Sequence, residues 1–253
     1  MRVQGTLYLV PSPLDFGCAA QAPLTDVLPV GTLVIAARLE HWICENAKST
    51  RAYLKRVNQL QPLAHALQEL QIVELPHEIH KKGDHAGQFD ARPLLAPALQ
   101  GHDVGLVSEA GMPAIADPGS SVVRAAHDLA IPVVPLVGPV SLLLGLAVSG
   151  LNGQSFAFVG YLPHEASARA RRIHELESLA QKTGQSQLFI EAPYRNAALW
   201  QALLQSLQPG TRLAIASGLT LPGAVNGSSS VGVWRQRAVP IRADTPALFA
   251  IGR

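Results

Sequence analysis

Short apolar runs alternate with stretches of helical spacing in the first half of the sequence, and this alternation constrains the fold most. Residues 5–11 and 29–37 are apolar runs bounded by turn-forming residues, so both predict buried strands. Residues 45–60 have helical spacing, and residues 62–70 are expected to continue as a second helix. The same reasoning predicts strands at 72–75, 103–107 and 133–137, helices at 94–99 and 121–129, and a loop at 77–90. Strands that alternate with helices in this way are typical of a parallel α/β sheet.

The pattern changes after residue 138. Strands are predicted at 156–161, 187–191, 212–217, 232–234 and 248–251, with helices at 167–180 and 196–207. Because turns rather than helices join some of these strands, we expect a mixed sheet. The chain has 253 residues, of which 48% are hydrophobic, and this is enough for two cores. We therefore predict an N-terminal, mainly parallel α/β domain with flanking helices at 1–137 and a C-terminal α/β domain with a mixed sheet at 138–253.

Residues 129–151 contain no charged side chain and are long enough to span a bilayer. Prolines and glycines interrupt the first half of this run, and no cationic or aromatic anchors flank it. The pattern favours a buried strand followed by a buried helix from Val140 over a transmembrane helix, so no membrane association is expected.

Composition and missing motifs exclude several function classes. The net charge is +2 with histidines neutral, which gives no overall basic surface for nucleic acid. Cys18 and Cys44 are too few for a disulfide framework. No secretory leader pattern opens the sequence, so a cytoplasmic protein is expected. The dinucleotide-binding fingerprint after the first strand, the P-loop and the G-x-S-x-G elbow are all absent.

A polar segment raises the question of metal binding. It contains His77, His80, Asp84 and His85, but their spacing matches neither H-E-x-x-H nor a zinc-finger pattern. Polar side chains in such a loop are usually solvated surface groups. No metal site is predicted.

The loop at 108–119 follows a predicted strand, precedes a predicted helix and is rich in glycine and proline. In open α/β sheets, ligands bind at the carboxyl ends of strands, and Gly111 and Gly119 allow close approach to backbone. Glu109 and Asp117 are candidates to contact a ligand. The alternative is an ordinary turn in which Asp117 caps the next helix.

Arg169, Arg171 and Arg172 lie near the start of a predicted helix, where the helix dipole disfavours cations. This placement leaves two interpretations open, a solvated helix face and a contact to RNA phosphate.

Several segments, in order along the chain, resemble one family. Residues 5–13 resemble the opening GTLYLVATP of the bacterial 16S rRNA ribose 2′-O-methyltransferases, which belong to the tetrapyrrole methylase superfamily. Residues 45–54 (ENAKSTRAYL) are similar to their EDTRTTRKLL, and residues 107–119 (VSEAGMPAIADPG) to their VSDAGTPLISDPG. Residues 131–141 resemble IPVVPLPGPSA, residues 160–163 GFLP, and residues 191–195 (EAPYR) ESPHR.

The resemblance implies two α/β domains, a homodimer, and S-adenosylmethionine bound in a cleft between the domains. The cofactor-binding residues that it implies lie in the first domain and at the start and end of the second: Pro11, Ser108, Glu109, Ala110, Gly111, Met112, Pro113, Gly138, Pro139, Ser141, Pro246 and Ala247.

Departures from the family's pattern fall mainly on the acceptor side. The family's aspartate is Glu109 here, its histidine is Tyr194, and its RELTK segment is replaced by residues 217–221 (SGLTL). The glycine and asparagine of the family's TPIGNLxD loop are missing from residues 12–17, and residues 38–44 suggest an insertion.

The resemblance implies methyl transfer to a ribosomal RNA 2′-hydroxyl, an in-line displacement that needs alignment of donor and acceptor and no metal. A carboxylate is a suitable acceptor for the hydroxyl proton, and the candidates are Glu109, Glu191 and Glu45. Two alternatives stay open. One is a methyltransferase for a small molecule such as a tetrapyrrole, and the other is a degenerate cofactor-binding member that acts through partners.

Overall fold

A computed structural model describes residues 4–82, 84, 89–238 and 241–253, with the side chains of 80–82 left aside. The chain forms two compact units. Unit 1 comprises Met1–Phe16 and Ala22–Val140, and unit 2 comprises Gly17–Gln21 and Ser141–Arg253.

Unit 1 contains a five-stranded, fully parallel sheet. Its strands are β1 (Leu7–Val10), β2 (His41–Cys44), β3 (Gln71–Glu74), β4 (Val104–Val107) and β5 (Val133–Pro135), in the order β3-β2-β4-β1-β5. The helices are α1 (Leu24–Val27), α2 (Val30–Arg38), α3 (Ala47–Asn58), α4 (His77–Lys82), α5 (Ala96–Leu99) and α6 (Ser120–Asp128), and a 3₁₀ turn at Arg92–Leu95 precedes α5. The carboxyl ends of all five strands therefore share one edge.

Alternate strand residues send their side chains to opposite faces of this sheet, and each face is covered by helices. Trp42 packs into a cluster with residues of α2 and α3, whereas the next residue, Ile43, packs with residues of α5 and α6. Unit 1 is therefore a helix–sheet–helix sandwich, which confirms the predicted parallel α/β class.

Unit 2 contains a mixed sheet. Its strands are β6 (Phe156–Tyr161), β7 (Ser186–Glu191), β8 (Arg212–Ser217), β9 (Val225–Ser230) and β10 (Ala247–Gly252), in the order β6-β7-β10-β8-β9. Only β6 and β7 pair in parallel among these strands. The helices are α7 (Ser141–Ser149), α8 (Ala166–Thr183), α9 (Asn196–Ser206) and α10 (Val231–Trp234), and a 3₁₀ turn spans Pro193–Arg195. The prediction of a mixed sheet in the second half is confirmed.

The predicted strand at 29–37 is wrong, because this segment forms helix α2. Pro29 occupies the N-cap position, and Leu33, Ala36 and Ala37 are buried at helical spacing. A short apolar run fits a buried strand or a buried helix equally well, so periodicity could not separate them. The strand of this region is β2, at the residues where the sequence suggested an insertion, and it lies between β3 and β4.

Three smaller predictions are also wrong. Residues 62–70 form turns and no helix, and the predicted loop at 77–90 includes α4. The predicted strand at 232–234 belongs to α10, while the strand lies earlier, at β9. The sequence of β9 is polar (VNGSSS), and this edge strand pairs only with β8. Its strand conformation therefore depends on pairing with β8 rather than on an apolar pattern.

The uncharged run at 129–151 contains β5 and α7, as expected, but the expectation of a buried strand is wrong, since Val134 and Pro135 of β5 are exposed. Gly145 of α7 faces Leu248 so closely that an added Cβ would overlap the leucine side chain, and Leu142 and Leu146 are buried. The expectation of a fully buried helix is wrong on one face, since Leu143 is 50% exposed. None of the described helices combines the length and the apolar character that crossing a bilayer requires.

Candidate functional site

The candidate site of unit 1 lies at the carboxyl edge of its parallel sheet, where the segments that follow β1 and β4 meet. The backbone N–H of Ser12 donates to the carbonyl of Gly111 at 2.9 Å, and the N–H of Gly111 donates to the carbonyl of Ser12 at 3.1 Å. The Ser12 hydroxyl also donates to the carbonyl of Ser108 at 3.0 Å. These bonds fix the loop at 108–119 beside the end of β1.

The segment after β5 reaches the same place. Gly111 has φ +78°, and an added Cβ would lie 3.4 Å from the carbonyl oxygen of Pro139. At Gly138 an added Cβ would overlap the ring of Pro11. Both positions favour glycine, Gly111 because of its positive φ and Gly138 because the Pro11 ring occupies the space of a Cβ. The structure thus brings together the three segments of unit 1 that the resemblance implied for cofactor binding.

The backbone of the loop at 108–119 is strained. Ala114 and Ala116 adopt φ values of 65° and 66°, which are unfavourable for residues with a Cβ. Such conformations persist only where surrounding contacts hold them, and they concentrate at functional sites.

Ser108 provides a second sign of a binding site. The side chain is 5% exposed, and its hydroxyl has no hydrogen-bond partner among the described residues. A buried hydroxyl without a partner is costly, so the loop holds a polar group that a bound molecule could satisfy.

The side chains of Met112 and Pro113 lie beside an apolar groove. Together with Leu9, Pro135 and Val140 they line an open, mainly apolar groove of about 380 Å³ in unit 1.

Three carboxyl groups cluster around the same loop. The backbone N–H of Glu109 donates to Glu45 Oε1 at 3.3 Å, and the Ser49 hydroxyl lies 3.4 Å from Glu109 Oε1. Burial, together with the charges of Glu45 and Glu109, raises the pKa of Asp117 to about 8. Two of the three predicted catalytic residues are therefore neighbours, and Asp117 holds a proton beside them at neutral pH.

The alternative role of Asp117 as a helix cap is wrong, because Asp84 occupies that place. Its carboxylate accepts hydrogen bonds from the N–H groups of Gly119 and Ser121 at 2.9 and 2.8 Å and from the hydroxyls of Ser120 and Ser121. Burial acts to raise the pKa of Asp84, but these four bonds outweigh it and lower the pKa.

The buried position of Asp84 corrects the interpretation of its segment as solvated surface. The side chain of His80 and all of His85 lie outside the described residues. Sequence reasoning missed the capping role because 35 residues separate Asp84 from Gly119.

The third predicted catalytic residue, Glu191, lies in unit 2 at the end of β7. Its Oε1 accepts from Arg195 Nη2 at 2.6 Å and Nε at 3.0 Å, and from the backbone N–H of Ala192 at 2.8 Å. Arg195 Nη1 also lies 2.6 Å from His164 Nδ1. The carboxylate of Glu191 thus fixes an arginine whose other side faces His164.

Pro246 and Ala247, implied at the cofactor site, lie at the same end of the unit 2 sheet as Glu191. Ala247 pairs with Glu191 on one side and with Ser217 on the other. The carbonyl of Pro246 accepts from the N–H of Gly218 at 3.1 Å and from the Ser217 hydroxyl at 3.2 Å. Ser141, the remaining implied residue, begins α7.

The arginines at the start of α8 are partly engaged. Arg172 Nη1 lies 3.1 Å from Glu175 Oε2, and Arg169 Nη1 donates to the carbonyl of His164 at 3.3 Å. Arg171 is exposed and donates to the Ser167 hydroxyl at 3.2 Å. Glu165 caps this helix, and hydrogen bonds from Ser167 and Ala168 lower its pKa to about 2.

Positions that depart from the family's pattern line a small polar cavity of about 90 Å³ in unit 2. Ser217, Gly218 and Leu221 contribute to its wall, as does the ion pair of Arg242 with Asp244. Hydrogen bonds from Arg242 and Thr245 hold the pKa of Asp244 at about 2.

Comparison with known proteins decides the family. The profile of the Tetrapyrrole (Corrin/Porphyrin) Methylases matches residues 35–225, which include the loop at 108–119 and all three candidate carboxylates. The chain belongs to this family. The predicted family assignment is therefore confirmed.

Curated relatives of this chain carry the name Ribosomal RNA small subunit methyltransferase I. One from Vibrio cholerae is 35% identical over 54% of this chain and 46% of its own length. One from Micromonospora olivasterospora is 31% identical over 85% of this chain, and one from Xylella fastidiosa is 34% identical over 78%. The chain spans 60% and 62% of the lengths of these two relatives.

A solved structure supports the fold. The crystal structure of uroporphyrin-III-C-methyltransferase from Thermus thermophilus aligns with a TM-score of 0.53 at 18% identity and covers 98% of this chain and 94% of its own. This likeness confirms the two-part α/β fold of the methylase.

Proposed function

We propose that this methylase transfers a methyl group from S-adenosylmethionine to a ribose 2′-hydroxyl of ribosomal RNA. The observation that carries the proposal is the meeting of Pro11, Gly111 and the 138–139 segment at one sheet edge. The names of the curated relatives support the RNA acceptor.

The residues of unit 1 fit such a cofactor. S-adenosylmethionine supplies a methyl group on a positively charged sulfonium. Ser108 offers a buried hydroxyl without a partner among the described residues, and the strained backbone of the loop at 108–119 lies at the carboxyl edge of the sheet. Ser108–Pro113 together with Pro11, Gly138 and Pro139 would hold the molecule, and Ser141, Pro246 and Ala247 are proposed to contribute from unit 2.

The cluster of Glu45, Glu109 and Asp117 suits the acceptance of a hydroxyl proton. Because Asp117 keeps its proton up to about pH 8, it adds no negative charge to its two neighbours near neutral pH. Either glutamate could then take the proton of the acceptor. Glu191 is proposed to act differently, by orienting Arg195 with its short ion pair.

Arg169, Arg171 and Arg172 are proposed to contact RNA phosphates from unit 2. Arg171 is the best placed of the three, since it is the most exposed and its side-chain hydrogen bond goes to the neutral hydroxyl of Ser167. We further propose a homodimer that works in the cytoplasm without a metal requirement for methyl transfer.

A small-molecule acceptor such as a tetrapyrrole is the second candidate. It is favoured by the family's description and by Ser217, Gly218 and Leu221, which depart from the pattern of the RNA-modifying relatives.

The decisive experiment offers labelled S-adenosylmethionine and small ribosomal subunits from a strain that lacks this protein. We expect label in the RNA at one mapped 2′-hydroxyl. Label in an added tetrapyrrole but not in RNA would select the second candidate. Donor binding without transfer to either would support a degenerate member that acts through partners.

A further inference from the structure

A second cluster of ligating side chains lies at the opposite edge of the unit 1 sheet, where β2 and β4 begin. Glu40 and His41 stand at the start of β2, and His102 lies two residues before β4. Since β2 and β4 pair in parallel, with His41 opposite Val104, the sheet itself places these residues side by side.

The geometry of the cluster suits an ion. One carboxylate oxygen of Glu40 and one ring nitrogen from each of His41 and His102 all lie within 4.8 Å of one another. Nε2 of His41 is 4.0 Å from Oε2 of Glu40, and the two imidazole rings meet edge to face with centroids 5.1 Å apart. Ligand atoms on one tetrahedral zinc ion are about 3.4 Å apart, so small side-chain rotations are enough to close the site.

The side chains of the cluster differ in how exposed they are. The side chain of His41 is 18% exposed and that of Glu40 is 36% exposed, whereas His102 is exposed. The β2 side therefore offers a positioned pair of ligands, and His102 can adjust to complete the set.

We propose that Glu40, His41 and His102 bind a divalent transition-metal ion of the zinc type, at a site separate from the proposed methyl-donor site. Imidazole nitrogen and carboxylate oxygen are the ligand set that Zn²⁺ accepts in proteins. The ion ties the start of β2 to the segment before β4, and it stabilises the folded chain by mass action.

The test is a titration of Zn²⁺ into untagged protein that has been stripped with a chelator, followed by calorimetry and by thermal unfolding. We expect one Zn²⁺ per chain and a higher melting temperature, and bound Co²⁺ should show the visible absorption of a tetrahedral site. His102→Ala should weaken Zn²⁺ binding about tenfold or more. Glu40→Gln provides a second variant with little change in shape and should also weaken binding.

His174→Ala is the matched control, since this exposed histidine lies on α8 of unit 2. Its Zn²⁺ affinity should equal that of the wild type. Absence of stoichiometric binding would overturn the proposal, as would equal affinity in His102→Ala and Glu40→Gln. Loss of binding in His77→Ala alone would also overturn it, by assigning the ion to the segment around α4. Because no methyl donor is present, the result is independent of the proposed transfer reaction.

Discussion

The two units present their candidate functional groups in different ways. In unit 1 the proposed donor site is mostly backbone, held by the Ser12–Gly111 bond pair and shaped by Gly111 and Gly138. In unit 2 the candidate groups are charged side chains, with Glu191 fixing Arg195 and with the arginines of α8 partly paired.

This difference explains where the sequence follows its family closely. A backbone site demands particular residues, so its motif is easy to recognise: Gly111 has a positive φ, and Gly138 has no space for a Cβ beside the Pro11 ring. A site built from side chains can come to bind a different molecule through a few substitutions, because these leave the fold unchanged. The departures at Ser217, Leu221 and Tyr194 lie in unit 2, whereas those in unit 1, such as Glu109, leave the glycines of the loop at 108–119 in place. We therefore expect donor binding to depend mainly on the backbone site of unit 1, and acceptor choice to depend mainly on the side chains of unit 2.

The largest expected effect tests the backbone site. Gly111→Trp should reduce S-adenosylmethionine affinity at least about 100-fold, because the indole fills the space beside Leu14 and Pro139. Calorimetry measures the affinity, and circular dichroism checks the fold. Gly31→Trp is the control, since an added Cβ there meets nothing within 4 Å. If Gly111→Trp left the affinity for S-adenosylmethionine unchanged, the loop at 108–119 would be an ordinary turn with no role in donor binding.

The second-largest expected effect is a loss of stability on removing Asp84, which holds the end of the loop at 108–119. Asp84→Ala removes four hydrogen bonds at the start of α6 and should lower the free energy of unfolding by about 3 kcal/mol. Urea unfolding monitored by circular dichroism measures the loss. Asp90→Ala, which removes only exposed bonds to the guanidinium and the backbone N–H of Arg92, should lower the midpoint much less. Equal midpoints for both variants would contradict the capping role.

A smaller effect depends on pH. The pKa of Asp117 rises from 3.8 to about 8 on folding, so its contribution to stability is full below about pH 4 and is lost as the pH rises through 8. Asp117→Asn should therefore match the wild type at pH 4 and exceed its stability at pH 9 by on the order of 2 kcal/mol, since partial exposure screens the neighbouring charges.

Urea midpoints at the two pH values measure this difference. Asp128→Asn, an exposed change on α6, is the control and should show no such divergence. A wild-type advantage at pH 9 would show that Asp117 is ionised in the folded chain at neutral pH.

The smallest effect addresses unit 2. Changing Arg169, Arg171 and Arg172 to alanine should reduce the slope of log RNA affinity against log salt by roughly 0.7–0.9 for each lost phosphate contact. The affinity for S-adenosylmethionine should not change, because the proposed donor site lies mainly in unit 1 and the three arginines lie in unit 2. Lys182→Ala, at the other end of α8, controls for net charge. An unchanged slope would remove this cluster from the RNA-binding proposal.

Sequence patterns predicted most elements that carry a local signal. The strand–turn–helix order of residues 129–151 and the helix at 45–60 could be read directly, the latter because Asn46 caps α3 through bonds to Lys48 and Ser49. The helix at 29–37 and the polar strand β9 could not be predicted from the sequence. Their conformations depend on what covers or pairs with them, and that information lies elsewhere in the chain.

The candidate site shows the same division. Gly111, Glu109 and Pro11 stand in recognisable motifs, so resemblance was enough to select them. The capping by Asp84, the unpartnered hydroxyl of Ser108 and the raised pKa of Asp117 depend on distances between distant segments. The cluster around His41 was missed for that reason too, since its members share no sequence spacing.

The order of strands also bears on how the chain folds during synthesis. β1 lies between β4 and β5, so it stays without neighbours until residues more than ninety positions later have been made. β10, near the end of the sequence, lies between β7 and β8. Such non-local pairing slows folding and leaves apolar strands open to aggregation. A ribosome-bound nascent chain should therefore resist protease in unit 1 only after β5 has emerged, and removal of the last seven residues, Ala247–Arg253, should leave the sheet of unit 2 without its central strand.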